Sequence, residues 1–423
     1  MLSREENELL TRVGAGTPMG TLMRRYWVPA VFSHQIAEPD SPPVRVRLLG
    51  EDLVAFRDSQ GRVGLIDEAC PHRTASMFFG RNEECGLRCV YHGIKFDVTG
   101  ACVDVPCLPP GTPENQIAAI KKQMAIKSYP CMEKGGVVWT YMGPAELQPE
   151  FPELEWTEVP KDHRFATRHI QECNWLQALD GGFDPAHLSF LHSGVVDLRK
   201  GNTDQHRRII PSHFEQLALP AGFAFGGARE IDDGNTSWHV EIMLMPFHKI
   251  IPSAPRAAHV WMPIDDETTM LYSVNFNTER PLTEDDLERE KAWRGIHTEN
   301  IPGTDHAVQN KTNDYMIDRE LQASGQSYTG IRGLGAQDCG VQESMGPIAD
   351  HTREHLLVCD NAIARIRRLY LDMLKDMAAG KPLPGRDGAG YRARALRFEA
   401  PSTVPFAELV ESRVWGNRPA AAE

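Results

Sequence analysis

Two Cys–His pairs carry the most legible chemistry in this sequence. They are Cys70-Pro71-His72 and, after sixteen intervening residues, Cys89-Val90-Tyr91-His92. Two thiolates and two imidazoles are a metal-ligand set. A [2Fe–2S] cluster of the Rieske type uses that set: two thiolates hold one iron and two imidazoles replace thiolates on the other, which raises the reduction potential. Zinc also accepts Cys2His2, but its knuckles leave about two to four residues between ligands, and the first pair here leaves one. Pro71 and Gly93 break regular structure beside the ligands, so each pair is expected on a tight loop.

A second dense segment runs from Asn174 to His192. On a helix, Gln177, Asp180, Asp184 and His187 recur at intervals of three, four and three and share one face. His192 follows His187 by five residues, roughly 140° round an ideal helix. Both imidazoles reach one metal only if the helix is distorted or ends between them. Gly181-Gly182 and Pro185 already make it irregular. Two histidines plus a carboxylate, with open positions, is the ligand set of non-haem Fe(II) that activates oxygen. Taken alone, H-x4-H is a weak signal that favours two structural histidines. Spacing does not choose the carboxylate, because many aspartates, Asp350 and Asp360 among them, lie downstream.

These residues must be positioned by folded elements. Residues 1–43 read as a short helix, Glu5 to Val13, and a Gly/Pro-punctuated stretch, and are assigned as a segment packing with the catalytic domain. From 44 to about 150 short alternating strands predict a compact all-β module with the ligand pairs on two loops. Pro149-Glu150-Phe151-Pro152-Glu153 marks a boundary. Residues 151–423 mix helix and strand: helical spacing from Cys173 to about Leu191, strands at Phe223–Glu230, Trp238–Met245, His259–Met262 and Met270–Asn277, helices at Leu282–Ile296 and Thr352–Met377. The fold class is α+β.

The chain has 423 residues, 45 basic and 58 acidic, a net charge of −13. That balance argues against nucleic acid or an anionic membrane as partner. No apolar run approaches the ~20 residues of a membrane span, and the charged start lacks a signal-peptide core, so a cytoplasmic protein is expected. Nine scattered cysteines do not make a disulfide framework. No G-x-G-x-x-G follows a strand to seat a nicotinamide or flavin pyrophosphate, so electrons must come from a separate reductase.

With D-x2-H-x4-H at Asp184, His187 and His192 on the same chain as the Cys–His pairs, the sequence resembles the catalytic α subunit of a Rieske non-haem iron ring-hydroxylating oxygenase, in the phthalate dioxygenase branch. The likeness extends to Gly16-Thr17-Pro18-Met19-Gly20, Asn313-Asp314-Tyr315-Met316-Ile317-Asp318-Arg319-Glu320 and Gln337-Asp338-Cys339-Gly340-Val341. It implies a [2Fe–2S] cluster on Cys70, His72, Cys89 and His92, and a helix-grip catalytic domain, an antiparallel sheet with helices. It also implies mononuclear Fe(II) on His187, His192 and Asp338, with O2 as co-substrate. NADH electrons would arrive through a flavin and iron–sulfur reductase. Head-to-tail homotrimers, or hexamers of stacked trimers, would set Asp184 as a bridge from His187 to His92 of the adjacent subunit, with Asp180 either supporting it or serving a structural role.

The branch implies cis-dihydroxylation of an aromatic carboxylate such as phthalate. An anion of that kind calls for basic groups, preferably Arg. Arg207 and Arg208 are the first candidates and Arg229 the second. Against phthalate itself, Trp238-His239-Val240-Glu241 carries an acid and an imidazole where a second basic contact is expected. A monocarboxylate, a differently substituted phthalate or an aryl ether cleaved by monooxygenation are the alternatives. A non-catalytic Rieske electron carrier and a metal-dependent hydrolase are the non-oxygenase readings. Ala323–Gly335 reads as a lid or an ordinary surface loop.

Overall fold

A computed structural model describes residues 1–193, 211–231 and 234–415. The chain divides into two compact units, one formed by residues 14–16 and 23–148 and the other by residues 1–13, 17–22 and 149–423.

The smaller unit is all-β apart from the helix Glu114–Gln123 and short 3₁₀ turns. One sheet orders Val44–Leu48, Glu51–Arg57, Val63–Asp67 and Ser128–Tyr129. Outward Arg45 and Arg47 alternate with inward Val46 and Leu48, the period of two that buries one face of a strand. A second sheet orders Arg81–Glu83, Gly86–Arg88, Lys95–Phe96 and Cys102–Asp104. Val54, Phe56, Ile66, Met77, Leu87 and Phe96 pack with the Cys70 and Cys89 side chains into one core, which holds both ligand loops.

A third sheet pairs Trp27–Phe32 with Val137–Tyr141, which also pairs Cys131–Lys134. This pairing draws residues 23–43 into the β unit, whereas the sequence reading had assigned the whole of 1–43 to the catalytic domain. Trp27–Phe32 is buried throughout, so no alternation announces it as a strand.

The larger unit is built on an eight-stranded antiparallel sheet, ordered Arg164–Gln171, Thr269–Phe276, Arg256–Pro263, His248–Ile251, Asn235–Leu244, Gly222–Ile231 and His213–Leu219, with Leu396–Pro401 also paired to Asn235–Leu244. Helices Trp175–Gly182, Leu334–Glu343 and Asn361–Ala378 accompany it, giving the expected α+β class. The four strands read from sequence are present, two of them ending one residue earlier than expected, at Leu244 and Phe276.

The helix expected from Cys173 to Leu191 is shorter. Asn174 caps it, its side chain accepting from the Leu176 N–H, and it ends at Gly182. Consecutive glycines and Pro185 remove the propensity to continue. Asp184 Oδ1 then accepts from the Ala186 N–H at 2.7 Å, and His187–Ser189 forms a separate 3₁₀ turn. Asp184 and His187 therefore do not share a helix face with Gln177 and Asp180. Likewise the helix expected over Leu282–Ile296 is confined to Glu284–Lys291, and that expected from Thr352 begins at Asn361.

Candidate metal centres and active-site cavity

The two Cys–His loops have the same backbone construction. Cys70 N–H donates to Ala75 O and Cys89 N–H to Ile94 O, while Thr74 N–H returns to Cys70 O and Gly93 N–H to Cys89 O, all within 2.8–2.9 Å. Gly93 sits at φ +74°, and a Cβ there would meet Pro106 Cγ at 2.7 Å, so glycine is required. Cys70 and Cys89 are buried, and burial, with Cys89 adding, pushes the Cys70 thiol up to about 11. Such a thiol stays protonated unless a metal displaces its proton.

His72 and His92 lie at the surface with their Nδ1 atoms 3.1 Å apart. Two nitrogens on one tetrahedral metal at ~2.0–2.1 Å are about 3.3 Å apart, so this pair fits half of such a shell. The Tyr91 ring packs on His92 at 4.0 Å, and Arg73 lies over Tyr91.

In the larger unit His187, His192 and Asp338 each offer one ligand atom, all within 4.8 Å of one another. His187 Nε2 is 3.6 Å and His192 Nε2 3.3 Å from Asp338 Oδ1. Asp338 comes from the helix Leu334–Glu343, far along the chain. Its Oδ1 is buried with no hydrogen-bond partner among the described residues, a costly state for a carboxylate oxygen and one that a cation relieves. Burial alone would raise the Asp338 pKa, but the facing His192 and His187 hold it below the usual carboxylate value.

Both imidazoles are held with Nε2 toward that carboxylate. His187 Nδ1–H donates to the backbone oxygen of Asp184 at 2.6 Å, and the Asp184 carboxylate stands 3.8 Å from the same nitrogen. The bond expected from the Asp184 side chain is thus made by its main chain. His192 Nδ1–H donates to Gln337 Oε1 at 2.7 Å. The Gln337 amide is oriented by donating to Ile331 O and Thr329 Oγ1, so its oxygen must face the ring. These outer bonds fix the tautomers that leave Nε2 free to bind a metal.

Asp180 faces elsewhere. Arg367 donates to its Oδ2 at 3.0 and 2.6 Å, and also reaches Glu354 and His351 in a buried cluster. Its partners make Asp180 a link between two helices and not a neighbour of His187.

A cavity of about 150 Å³ opens beside the triad, lined by His187, His192 and Asp338 and by the inward face of the sheet. Phe225, Trp261 and Leu271 supply apolar wall; Arg229, Glu241, Lys249 and Arg397 supply charge, and burial holds the His239 imidazole below its ordinary pKa. Arg207 and Arg208 lie outside the described residues. Leu334 and Gly335, at the end of the stretch read as a possible lid, line the cavity. Gln337, Lys249 and Arg397 are given no role by the sequence reading. Gln337 lay inside the quoted Gln337-Asp338 segment, and that adjacency was its one available signal.

Residues 26–130 match the Rieske [2Fe-2S] domain family, and residues 140–417 match the family described as LigXa C-terminal domain like. The chain is 37% identical to the oxygenase subunit of 3-chlorobenzoate-3,4-dioxygenase from Comamonas testosteroni, over 98% of this chain and 99% of the relative. It is 36% identical to the phthalate 4,5-dioxygenase oxygenase subunit of Pseudomonas putida, over 95% and 92%. A solved mutant of NdmA from Pseudomonas putida CBB5, with caffeine, shares the fold at TM-score 0.60 and 17% identity, covering 89% of this chain and 95% of that one.

This chain belongs to the Rieske non-haem iron oxygenases, as an oxygenase (α) subunit of the phthalate dioxygenase-like branch. It is an oxidoreductase that uses a Rieske [2Fe–2S] cluster, mononuclear iron and O2, and oxygenases of this kind generally work with a separate reductase and an aromatic substrate. Among the described residues no helix is long and apolar enough to cross a membrane.

Proposed function

We propose that this protein cis-dihydroxylates the ring of an aromatic carboxylate of the benzoate or phthalate type. The arene, O2, NADH and one further proton give a cis-dihydrodiol and NAD⁺, both electrons arriving through a flavin and iron–sulfur reductase in the cytoplasm. The observation that carries this reading is the cavity in which arginines and apolar wall meet the His187, His192 and Asp338 triad.

In this reading Cys70 and Cys89 hold one iron of the cluster and His72 and His92 the other, while His187, His192 and Asp338 hold the mononuclear iron. When bound, the mononuclear iron supplies open coordination positions for O2 beside the substrate, and the cluster stores one of the two electrons needed. Gln337 Oε1 and the Asp184 carbonyl hold the Nδ1 protons of His192 and His187, so neither ring turns away. Phe225, Trp261 and Leu271 exclude water from the ring, and arginine on the sheet face grips the carboxylate. Asp184 would also receive His92 of the adjacent subunit in a homotrimer or hexamer.

Turnover with a surrogate reductase, NADH and 18O2 against benzoates, phthalates and aryl ethers tests this, with products read by mass spectrometry. Two labelled oxygens in one dihydrodiol are expected. One labelled oxygen with loss of an alkyl or aryl group would instead assign ether-cleaving monooxygenation. Oxygen consumption without labelled product would remove the substrate class.

A further inference from the structure

We infer that Glu241 is a specificity-determining residue, and that it selects an aromatic acid bearing one carboxylate plus a hydrogen-bond donor such as a hydroxyl or amino group. This rests on the aromatic-acid reading above and narrows it.

His239 and Glu241 are two apart on the strand Asn235–Leu244, so both point to one face of the sheet, and both line the cavity. Lys249, from the adjacent strand His248–Ile251, lies 2.9 Å from Glu241 Oε1, and it also donates to the Gly182 carbonyl at the end of the helix Trp175–Gly182. His239 Nε2 lies 3.4 Å from the same Oε1. Both closest approaches fall on Oε1, His239 Nε2 without completing a hydrogen bond there, and among the described residues no hydrogen bond is formed to Oε2. Burial alone would raise the Glu241 pKa, but Lys249 and then His239 hold it down to about 2. Among the described residues, then, the cavity contains an ionised carboxylate with one oxygen that no donor occupies.

The cations of the lining sharpen the consequence. Lys249 is committed to Glu241, and Arg289 to the buried Glu290 at 3.2 and 2.9 Å. Neither offers its charge to a substrate anion. The anion anchor falls to arginine elsewhere on the lining, Arg397 among them, whose strand pairs His239 with Arg397. A second substrate carboxylate beside Glu241 would bring two anions together in a site of low dielectric. A bare ring C–H would leave Oε2 desolvated without a donor. An O–H or N–H satisfies it, and sites built around such a bond discriminate strongly.

An ion pair that only cross-links two strands would be indifferent to the ligand, which makes the two roles separable. Holoenzyme, Glu241→Gln and the neutral pair Glu241→Gln/Lys249→Gln would be titrated anaerobically with benzoate, 3- and 4-hydroxybenzoate, 3-aminobenzoate, isophthalate and terephthalate. Iron content and cluster absorbance verify that each variant is loaded, and the double variant avoids stranding a buried lysine. The wild type should bind the hydroxy and amino acids at least about tenfold more tightly than the dicarboxylates, and both variants should shrink that ratio about tenfold. An unchanged ratio in both variants, or a wild type that prefers dicarboxylates, overturns the proposal. Binding is read without turnover. Absence of a labelled diol would thus strike the dihydroxylation reading alone, whereas failure of every acid to bind would remove both.

Discussion

His192 Nδ1 and Gln337 Oε1 lie 2.7 Å apart although 145 residues separate them, and Gln337 is at the same time anchored to Thr329 and Ile331. The stretch that borders the cavity is thereby tied to a metal-facing imidazole. Outer partners of this kind typically contribute about 10–100-fold in metal affinity. Gln337→Leu should lose mononuclear iron in a chelator-competition assay by about that factor, while Gln337→Glu, which keeps an acceptor, should lose less. Equal retention in both variants would dissociate the glutamine from the metal.

Asp338→Ala removes the carboxylate of the triad and leaves the Cys–His loops untouched. Iron per chain should fall from about three to about two, with the cluster absorbance retained. A protein of the electron-carrier type would show about two irons before the substitution as well.

Asp184→Asn preserves an oxygen to accept from the Ala186 N–H, and the main-chain bond to His187 is unaffected. Both metals should remain bound while turnover coupled to NADH nearly vanishes, as read by oxygen uptake and by single turnover of pre-reduced protein. Normal turnover in correctly loaded protein would remove Asp184 from the electron path.

Arg367→Met strands the buried Asp180 and unpairs the half-buried Glu354. Removing one partner of a buried charge cluster costs about 3–5 kcal/mol. A large fall in the urea midpoint is expected, and a shift under 1 kcal/mol, on the order of a surface pair, would contradict the burial argument.

Acid should destabilise the protein before its carboxylates titrate. Burial lowers His169 and His259 to about 4, against ~6.5 in the unfolded chain. Between these values the unfolded state binds more protons, so stability is full above pH ~6.5 and falls toward pH 4, by about 1.4 kcal/mol per unit for each histidine. Glu241 and Glu354, held down to about 2, add their loss only below about 4.5. Urea midpoints at pH 7.5 and 5.5 should differ clearly, and equal values would contradict the neutral, buried state of these rings.

The ligand pairs were legible in the sequence because metal chemistry depends on residue type and short spacing, and both are local. The four strands behind the cavity were legible for the same reason, since alternation or a short apolar run shows within one window. Trp27–Phe32 and His248–Ile251 were not, being buried strands, the second with a histidine and a lysine inside the sheet. The long reading of the helix after Cys173 followed the i, i+3, i+4 period past Gly181-Gly182 and Pro185, where the backbone could no longer sustain it.

What the sequence alone determined, then, is the cofactor chemistry and the class of fold. Only tertiary structure set Asp338 Oδ1 against two imidazoles, turned Asp180 toward Arg367, and brought Lys249 and Arg397 to Glu241 and His239. Each of those contacts depends on strand register or helix docking between residues far apart in the chain, and no local pattern of residue types encodes a register.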